Sequence, residues 1–184
     1  MKEKIKAEIL SDQDFQRIVT RLAHEILEKN RGSENLVIVG IRTRGAFLAT
    51  RLSKKIEEIE GKEIPTGFLD ITLYRDDFRT RLKQPAVEVT NIPFKIDEQN
   101  IVLVDDVLYT GRTIRSALDA LMDFGRPALI HLAVLVDRGH RELPIRPDFV
   151  GKNIPTSIGE EVNVLMKEID KEDKVLLVEQ PMNN

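Results

Sequence analysis

The sequence predicts an α/β domain built on a mostly parallel central sheet with helices on both faces. Three observations predict it: short β-branched apolar runs alternate with amphipathic stretches, glycines punctuate the junctions, and no repeat or Gly/Ser-rich linker divides the chain. At 184 residues there is room for one domain with a sizeable core, and too little for two ordinary ones.

Residues 11–30 read as the first helix. Ser11 is its N-cap, Phe15, Ile18, Val19, Leu22 and Ile26 form one apolar stripe, and Gly32 stops it. The apolar run at 36–41 predicts a strand. After Arg42-Thr43-Arg44-Gly45 comes an amphipathic helix at 46–59, ended by Gly61. Residues 67–73 read as another strand. The next stretch, 74–84, crowds Arg75, Asp76, Asp77, Arg79, Arg81 and Lys83 among few apolar groups and predicts a mobile loop or extended hairpin reaching to about residue 90. Residues 101–104 form a central strand, 113–124 a helix with Gly125 beyond it, and 129–136 a long apolar strand. Shorter strands are expected at 149–150, 162–166 and 174–178.

Composition narrows the chemistry. The absence of cysteine excludes disulfides, thiolate nucleophiles and cysteine-held zinc or iron–sulfur sites. With 41% hydrophobic and 32% charged residues the chain reads as soluble. No apolar run approaches the roughly 18 residues needed to cross a bilayer, and residues 1–10 are alternately charged rather than signal-like. The expectation is a cytoplasmic protein with no membrane partner. A formal net charge of −3 argues against gripping nucleic acid over the whole surface, so any RNA site must be a local basic patch.

The segment 101–113 carries the clearest chemistry. Ile101, Val102, Leu103 and Val104 deliver Asp105 and Asp106 to the carboxyl end of a parallel strand, where ligands of open α/β sheets bind. Val107, Leu108, Tyr109, Thr110, Gly111, Arg112 and Thr113 then lead into a helix, whose free N–H groups and nearby hydroxyls suit a phosphate dianion. The carboxylates suit hydroxyls or hydrated Mg²⁺. A ligand offering both sets of groups is a 5-phosphorylated ribose, and the rival phosphate motifs G-x-x-x-x-G-K-[ST] and G-x-G-x-x-G do not occur.

Two acids after aliphatics, followed by T-G-x-T, resemble the phosphoribosyl pyrophosphate motif of type I phosphoribosyltransferases. The stretches 109–113, 136–146 and 151–156 are similar to the bacterial pyrimidine operon attenuation regulators, which double as uracil phosphoribosyltransferases; the resemblance extends over nearly the whole chain. It implies the type I phosphoribosyltransferase fold as a single domain over 1–184, with a flexible loop at about 74–90. A small hood would be built from the chain ends and the region after 136.

The same resemblance implies the site. Asp105 and Asp106 would face the ribose hydroxyls and metal shell, residues 107–113 would surround the 5-phosphate, and residues 40–45, with Thr43 and Arg44, would form the pyrophosphate loop. Two guanidiniums on a strand-to-helix turn also suit a diphosphate physically, although R-T-R-G alone is more often a solvated turn. The implied reaction joins uracil to phosphoribosyl pyrophosphate with Mg²⁺, giving UMP and pyrophosphate. Asp105, Asp106 and Arg44 act electrostatically there, and Arg138 lies near base or pyrophosphate.

On the first helix Arg17, Thr20, Arg21 and His24 share the face opposite the apolar stripe, a pattern that by itself describes ordinary solvated surface. The resemblance makes Thr20, Arg21, His24 and Lys29, with Arg141, Arg146 and Lys152, an RNA-binding patch for a pyrimidine leader mRNA hairpin. It further implies that UMP promotes RNA binding and that the protein is a homo-oligomer. Two other readings stand beside this one: a transferase for another base with no RNA role, and a nucleotide-sensing RNA binder with weak turnover.

Overall fold

A computed structural model describes residues 4–72 and 90–179; the expected loop at 74–84 lies outside them, apart from the last residue of its extension to about 90. Five strands, β2 (Leu36–Ile41), β3 (Thr66–Leu69), β4 (Asn100–Leu108), β5 (Leu129–Asp137) and β6 (Phe149–Asn153), form one sheet in the order β3-β2-β4-β5-β6. All four ladders are parallel. Each central strand reads as continuous apolar sequence because both its faces are covered. Ile38, Val102, Val104, Ala133 and Leu135 pack beneath helices α1 (Asp12–Asn30) and α2 (Arg44–Glu60). Their sequence neighbours Val37, Val39, Ile101, Leu103, Leu132 and Val134 pack beneath α3 (Arg112–Met122).

Helix α1 starts where its capping residues dictate. Ser11 Oγ accepts the Asp14 N–H at 3.3 Å while the Asp14 carboxylate accepts the Ser11 N–H at 3.2 Å. At the other end Arg31 takes the left-handed conformation (φ 57°) and the Gly32 N–H donates to the Leu27 carbonyl. Helix α2 begins at Arg44, two residues before the expected start, so the arginine expected in a pyrophosphate loop is its first residue.

A second, three-stranded antiparallel sheet joins the two chain ends in the order β1 (Lys4–Leu10), β8 (Lys174–Glu179), β7 (Glu160–Leu165), with the short helix α4 (Lys167–Asp170) between β7 and β8. Strand β1 was not expected. Its charges are cross-strand partners: Lys4 meets Glu179 at 3.8 Å, Lys174 meets Glu8 at 3.7 Å, and Lys6 pairs with Glu160. An edge strand of this kind advertises itself by charge rather than by an apolar run.

One expectation about β4 is corrected. The strand does not end before the two acids but runs through them to Leu108, because Asp105, Val107 and Leu108 remain paired with Val134, Val136 and Asp137 of β5. The turn that leads into α3 is only Tyr109 to Gly111. Likewise β3 ends at Leu69 rather than 73, and β6 runs on from 150 to Asn153.

Candidate active site and basic surface

Helix α2 sits unusually close to β4, and two glycines allow it. A Cβ on Gly45 would lie 2.6 Å from the Val104 carbonyl oxygen and 3.1 Å from Asp105 Cα; one on Gly40 would lie 2.5 Å from the Gly45 carbonyl oxygen. This approach lays residues 40–45 beside the two acids. The Arg42–Thr43 peptide bond is cis. Arg42 places its guanidinium 5.4 Å from the Phe68 ring centre, and Arg44 lines a cavity of about 250 Å³ together with Asp106 and Val162, Asn163, Val164 and Leu165 of β7. Asp105 is buried and its Oδ1 accepts the Asp106 N–H at 3.0 Å; Asp106 is half-buried.

The turn after β4 has the features of an anion site. Gly111 caps α3 with φ 93°, a conformation that glycine adopts without penalty. The first turn of α3 brings its orphan N–H groups to residues 109–113. Thr110 Oγ1 accepts from the Arg112 N–H at 3.4 Å, and its carbonyl accepts from the N–H groups of Glu142 and Leu143, which ties the turn to the segment after β5. Arg112 Nε donates to Glu142 at 2.6 Å, so this arginine is turned toward that segment. Val107 and Thr113 are half-buried, whereas Leu108 is buried and can offer only backbone atoms.

Arg138 lies next to this turn and is bonded on both sides. Its guanidinium carbon lies 4.0 Å from the Tyr109 ring centre, Nη2 donates to the Glu160 carbonyl at 2.7 Å, and Nε donates to Thr156 Oγ1 at 3.3 Å. It therefore joins the turn to β7 and lines a cavity of about 270 Å³ with Tyr109, His140, Ser157, Glu160 and Glu161. The Lys6 ammonium and the Ser157 N–H hold the Glu160 carboxyl below its usual pKa range.

Several participants were missed by sequence reasoning. Asp170 and Glu160 carried no motif, and Glu168 and Asp173, which clamp Arg51, sit in a charged stretch with no apolar period. Only the tertiary fold brings Asp170, Glu168 and Asp173 beside α2 and Glu160 beside Arg138.

The seven basic-patch positions lie on neighbouring elements. Gly151 permits this: a Cβ there would lie 2.4 Å from the Leu135 carbonyl oxygen and 2.7 Å from Ile18 Cγ2, so α1 rests directly on β6. Arg21 Nη2 donates to the carbonyls of Val150 and Gly151 at 3.2 and 2.6 Å, beside Lys152, and Nη1 donates to Glu25. Lys29 pairs with Asp148 at 2.8 Å, and Arg141 donates to Asp137 and to the carbonyls of Tyr109, Gly139 and Ile145. Thr20 Oγ1 donates to the Gln16 carbonyl. His24, Arg146 and Lys152 are exposed and make no hydrogen bond or ion pair among the described residues. Two segments about 120 residues apart in sequence thus share one surface.

Among the described residues no three acids or histidines cluster to hold a metal by themselves. Two adjacent carboxylates nevertheless fit Mg²⁺, a hard cation that keeps waters and binds through one or two carboxylates together with substrate phosphates. Among the described residues no helix is long and apolar enough to cross a membrane.

Comparison with known proteins decides the family. The profile of the phosphoribosyl transferase domain matches residues 6–178. The chain belongs to this phosphoribosyl transferase family. Among its relatives, the phosphoribosyltransferase is 60% identical to the bifunctional protein PyrR of Pelotomaculum thermopropionicum over 174 residues, covering 95% of this chain and 96% of that one. It is 59% identical to the bifunctional protein PyrR of Bacillus cereus strain AH820, covering 92% and 96%. The fold is also similar to a hypoxanthine phosphoribosyltransferase of Staphylococcus aureus, with a TM-score of 0.70 at 21% identity over 96% of this chain and 94% of that one. At that identity the structural likeness speaks for the fold alone, and it bears out the α/β phosphoribosyltransferase fold expected from the sequence.

Proposed function

We propose that the protein joins uracil to phosphoribosyl pyrophosphate, giving UMP and pyrophosphate, and that with UMP bound it grips a leader mRNA hairpin of pyrimidine genes. The observation that carries this reading is one chain holding two constellations: the acids and turn of residues 105–113 beside Arg44, and the basic surface across α1 and β6. Near-full-length similarity to bifunctional PyrR proteins supports the same pairing.

In the transferase site the first turn of α3 and Thr110 receive the 5-phosphate, while Asp105 and Asp106 accept from the ribose hydroxyls. Thr43 and Arg44 bind the departing pyrophosphate, where a guanidinium stabilises charge that grows as the glycosidic carbon loses its leaving group. Asp105 and Asp106 are the residues that would face the hydrated shell of Mg²⁺, a cation that would supply further charge neutralisation there. Uracil occupies the cavity between Tyr109, Arg138 and the antiparallel sheet, which serves as the hood. No protein nucleophile is required, which suits a site without cysteine. Thr20, Arg21, His24, Lys29, Arg141, Arg146 and Lys152 contact the RNA, in a cytoplasmic homo-oligomer.

The transferase half is tested by incubating the protein with phosphoribosyl pyrophosphate, Mg²⁺ and a panel of uracil, cytosine, hypoxanthine and orotate. UMP formed from uracil alone is the expected result; turnover of a different base in its place contradicts the assignment.

A further inference from the structure

The guanidinium of Arg44 is held from outside the loop that carries it. Its Nη2 lies 3.4 and 3.2 Å from Oδ1 and Oδ2 of Asp170, the last residue of α4. Asp170 is itself fixed, since its Oδ2 accepts the Met166 N–H at 2.9 Å. The segment around it is anchored to the helices below. Arg51 of α2 donates to Glu168 at 2.9 and 2.6 Å and to Asp173 at 2.8 Å through each of two nitrogens, Gln16 of α1 donates to Asp173 at 3.0 Å, and the Lys167 N–H donates to Asp173 at 2.9 Å. The carboxylate of Asp170 therefore sits on a rigid mount and meets an arginine that lines the Asp106 cavity.

The shape of this contact decides what it does. Both Asp170 oxygens address the same terminal nitrogen, so the pair is not the two-nitrogen fork in which arginine usually grips a carboxylate or phosphate. Among the described residues Asp170 engages only Nη2 of this guanidinium, and the buried Nε has no hydrogen-bond partner. A guanidinium tethered at one nitrogen has already lost much of its rotamer freedom, and a ligand does not bear that ordering cost again.

We infer that Asp170 is a positioning residue for pyrophosphate: it orients Arg44 so that the unshared side of the guanidinium meets the ligand, and it joins the antiparallel sheet to the pyrophosphate loop. This rests on the reading of Arg44 as a pyrophosphate ligand.

The test is calorimetric binding of pyrophosphate with Mg²⁺, and separately of UMP, to the full chain and to Arg44→Gln, Asp170→Asn, Asp170→Glu and the Arg44→Gln/Asp170→Asn double variant. Asp170→Asn is expected to weaken pyrophosphate roughly tenfold while leaving UMP, which lacks the diphosphate, unchanged. The substitution should add nothing on the Arg44→Gln background, and Asp170→Glu should recover part of the loss. Pyrophosphate affinity unchanged or tightened by Asp170→Asn, with Arg44→Gln still damaging, overturns the inference and makes the carboxylate a bystander or competitor. Equal weakening of UMP also overturns it, by making the contact structural. Pyrophosphate binding that ignores Arg44→Gln overturns instead the reading of Arg44 on which the inference stands.

Discussion

The guanidinium carbon of Arg138 lies 4.0 Å above the ring of Tyr109, so one buried side chain ties the turn after β4 to the antiparallel sheet. Its hydrogen bonds to Thr156 and the Glu160 carbonyl make it a strut as well as a wall of the cavity. Arg138→Ala is expected to cost about 2–4 kcal/mol, from lost bonds, lost stacking and acceptors left unpaired. Urea denaturation followed by circular dichroism reads this directly, and an unchanged midpoint would show that Arg138 serves ligand alone.

On the proposed reading, Asp105 and Asp106 serve turnover and not RNA binding. The double variant Asp105→Asn/Asp106→Asn should lower kcat/KM for phosphoribosyl pyrophosphate by roughly 10²-fold or more, because neutral amides hold ribose hydroxyls and a metal shell poorly. RNA affinity should change less, since the basic surface lies across α1 and β6. Undiminished transfer in a steady-state assay would remove both acids from the site.

The basic surface gives the converse. Thr20→Ala/Arg21→Ala/His24→Ala should weaken hairpin binding by about tenfold or more while uracil transfer persists. Arg21 also bonds to two carbonyls of β6, so a modest fall in thermal stability is expected alongside. Filter binding checks the first effect, and unchanged RNA affinity would take this helix out of the interface.

Acid should loosen the mount beneath α4. Burial opposes the charge of Asp173, but Arg51 and the Lys167 N–H outweigh it and hold the carboxyl below its ordinary value of 3.8. A depressed folded pKa contributes stability that is fully present above the unfolded value and is lost as pH falls through the folded one. Asp173→Asn should therefore be less stable than wild type at neutral pH, with the gap narrowing below about pH 4. Denaturation curves at pH 7, 5 and 3 measure it, and a gap independent of pH would contradict the assignment.

Much of this was legible in the sequence because the parallel sheet is covered on both faces. Continuous runs such as 101–104 and amphipathic helices such as 11–30 announce themselves by period. The placement of Asp105, Asp106 and Gly111 was legible for a different reason, since acids after an apolar strand and a glycine before a helix mark a strand-to-helix turn. What stayed hidden depends on distant pairing. The edge strand β1 is held by ion pairs across to β7 and β8, Asp170 meets Arg44 across 126 residues, and Arg138 binds Glu160 through a carbonyl. None of these leaves a local periodicity. The early end assigned to β4 has the same origin, because ladder partners in β5, not side-chain polarity, carry that strand through its two acids.

The measurement that tests the central claim most directly is binding of a pyrimidine leader hairpin, with and without UMP and at several salt concentrations, beside an unrelated hairpin of equal length. Selective binding that UMP strengthens, and that weakens as salt rises, is the predicted result. Equal or absent binding to both RNAs, with UMP making no difference, would contradict the regulatory half and leave a phosphoribosyltransferase alone.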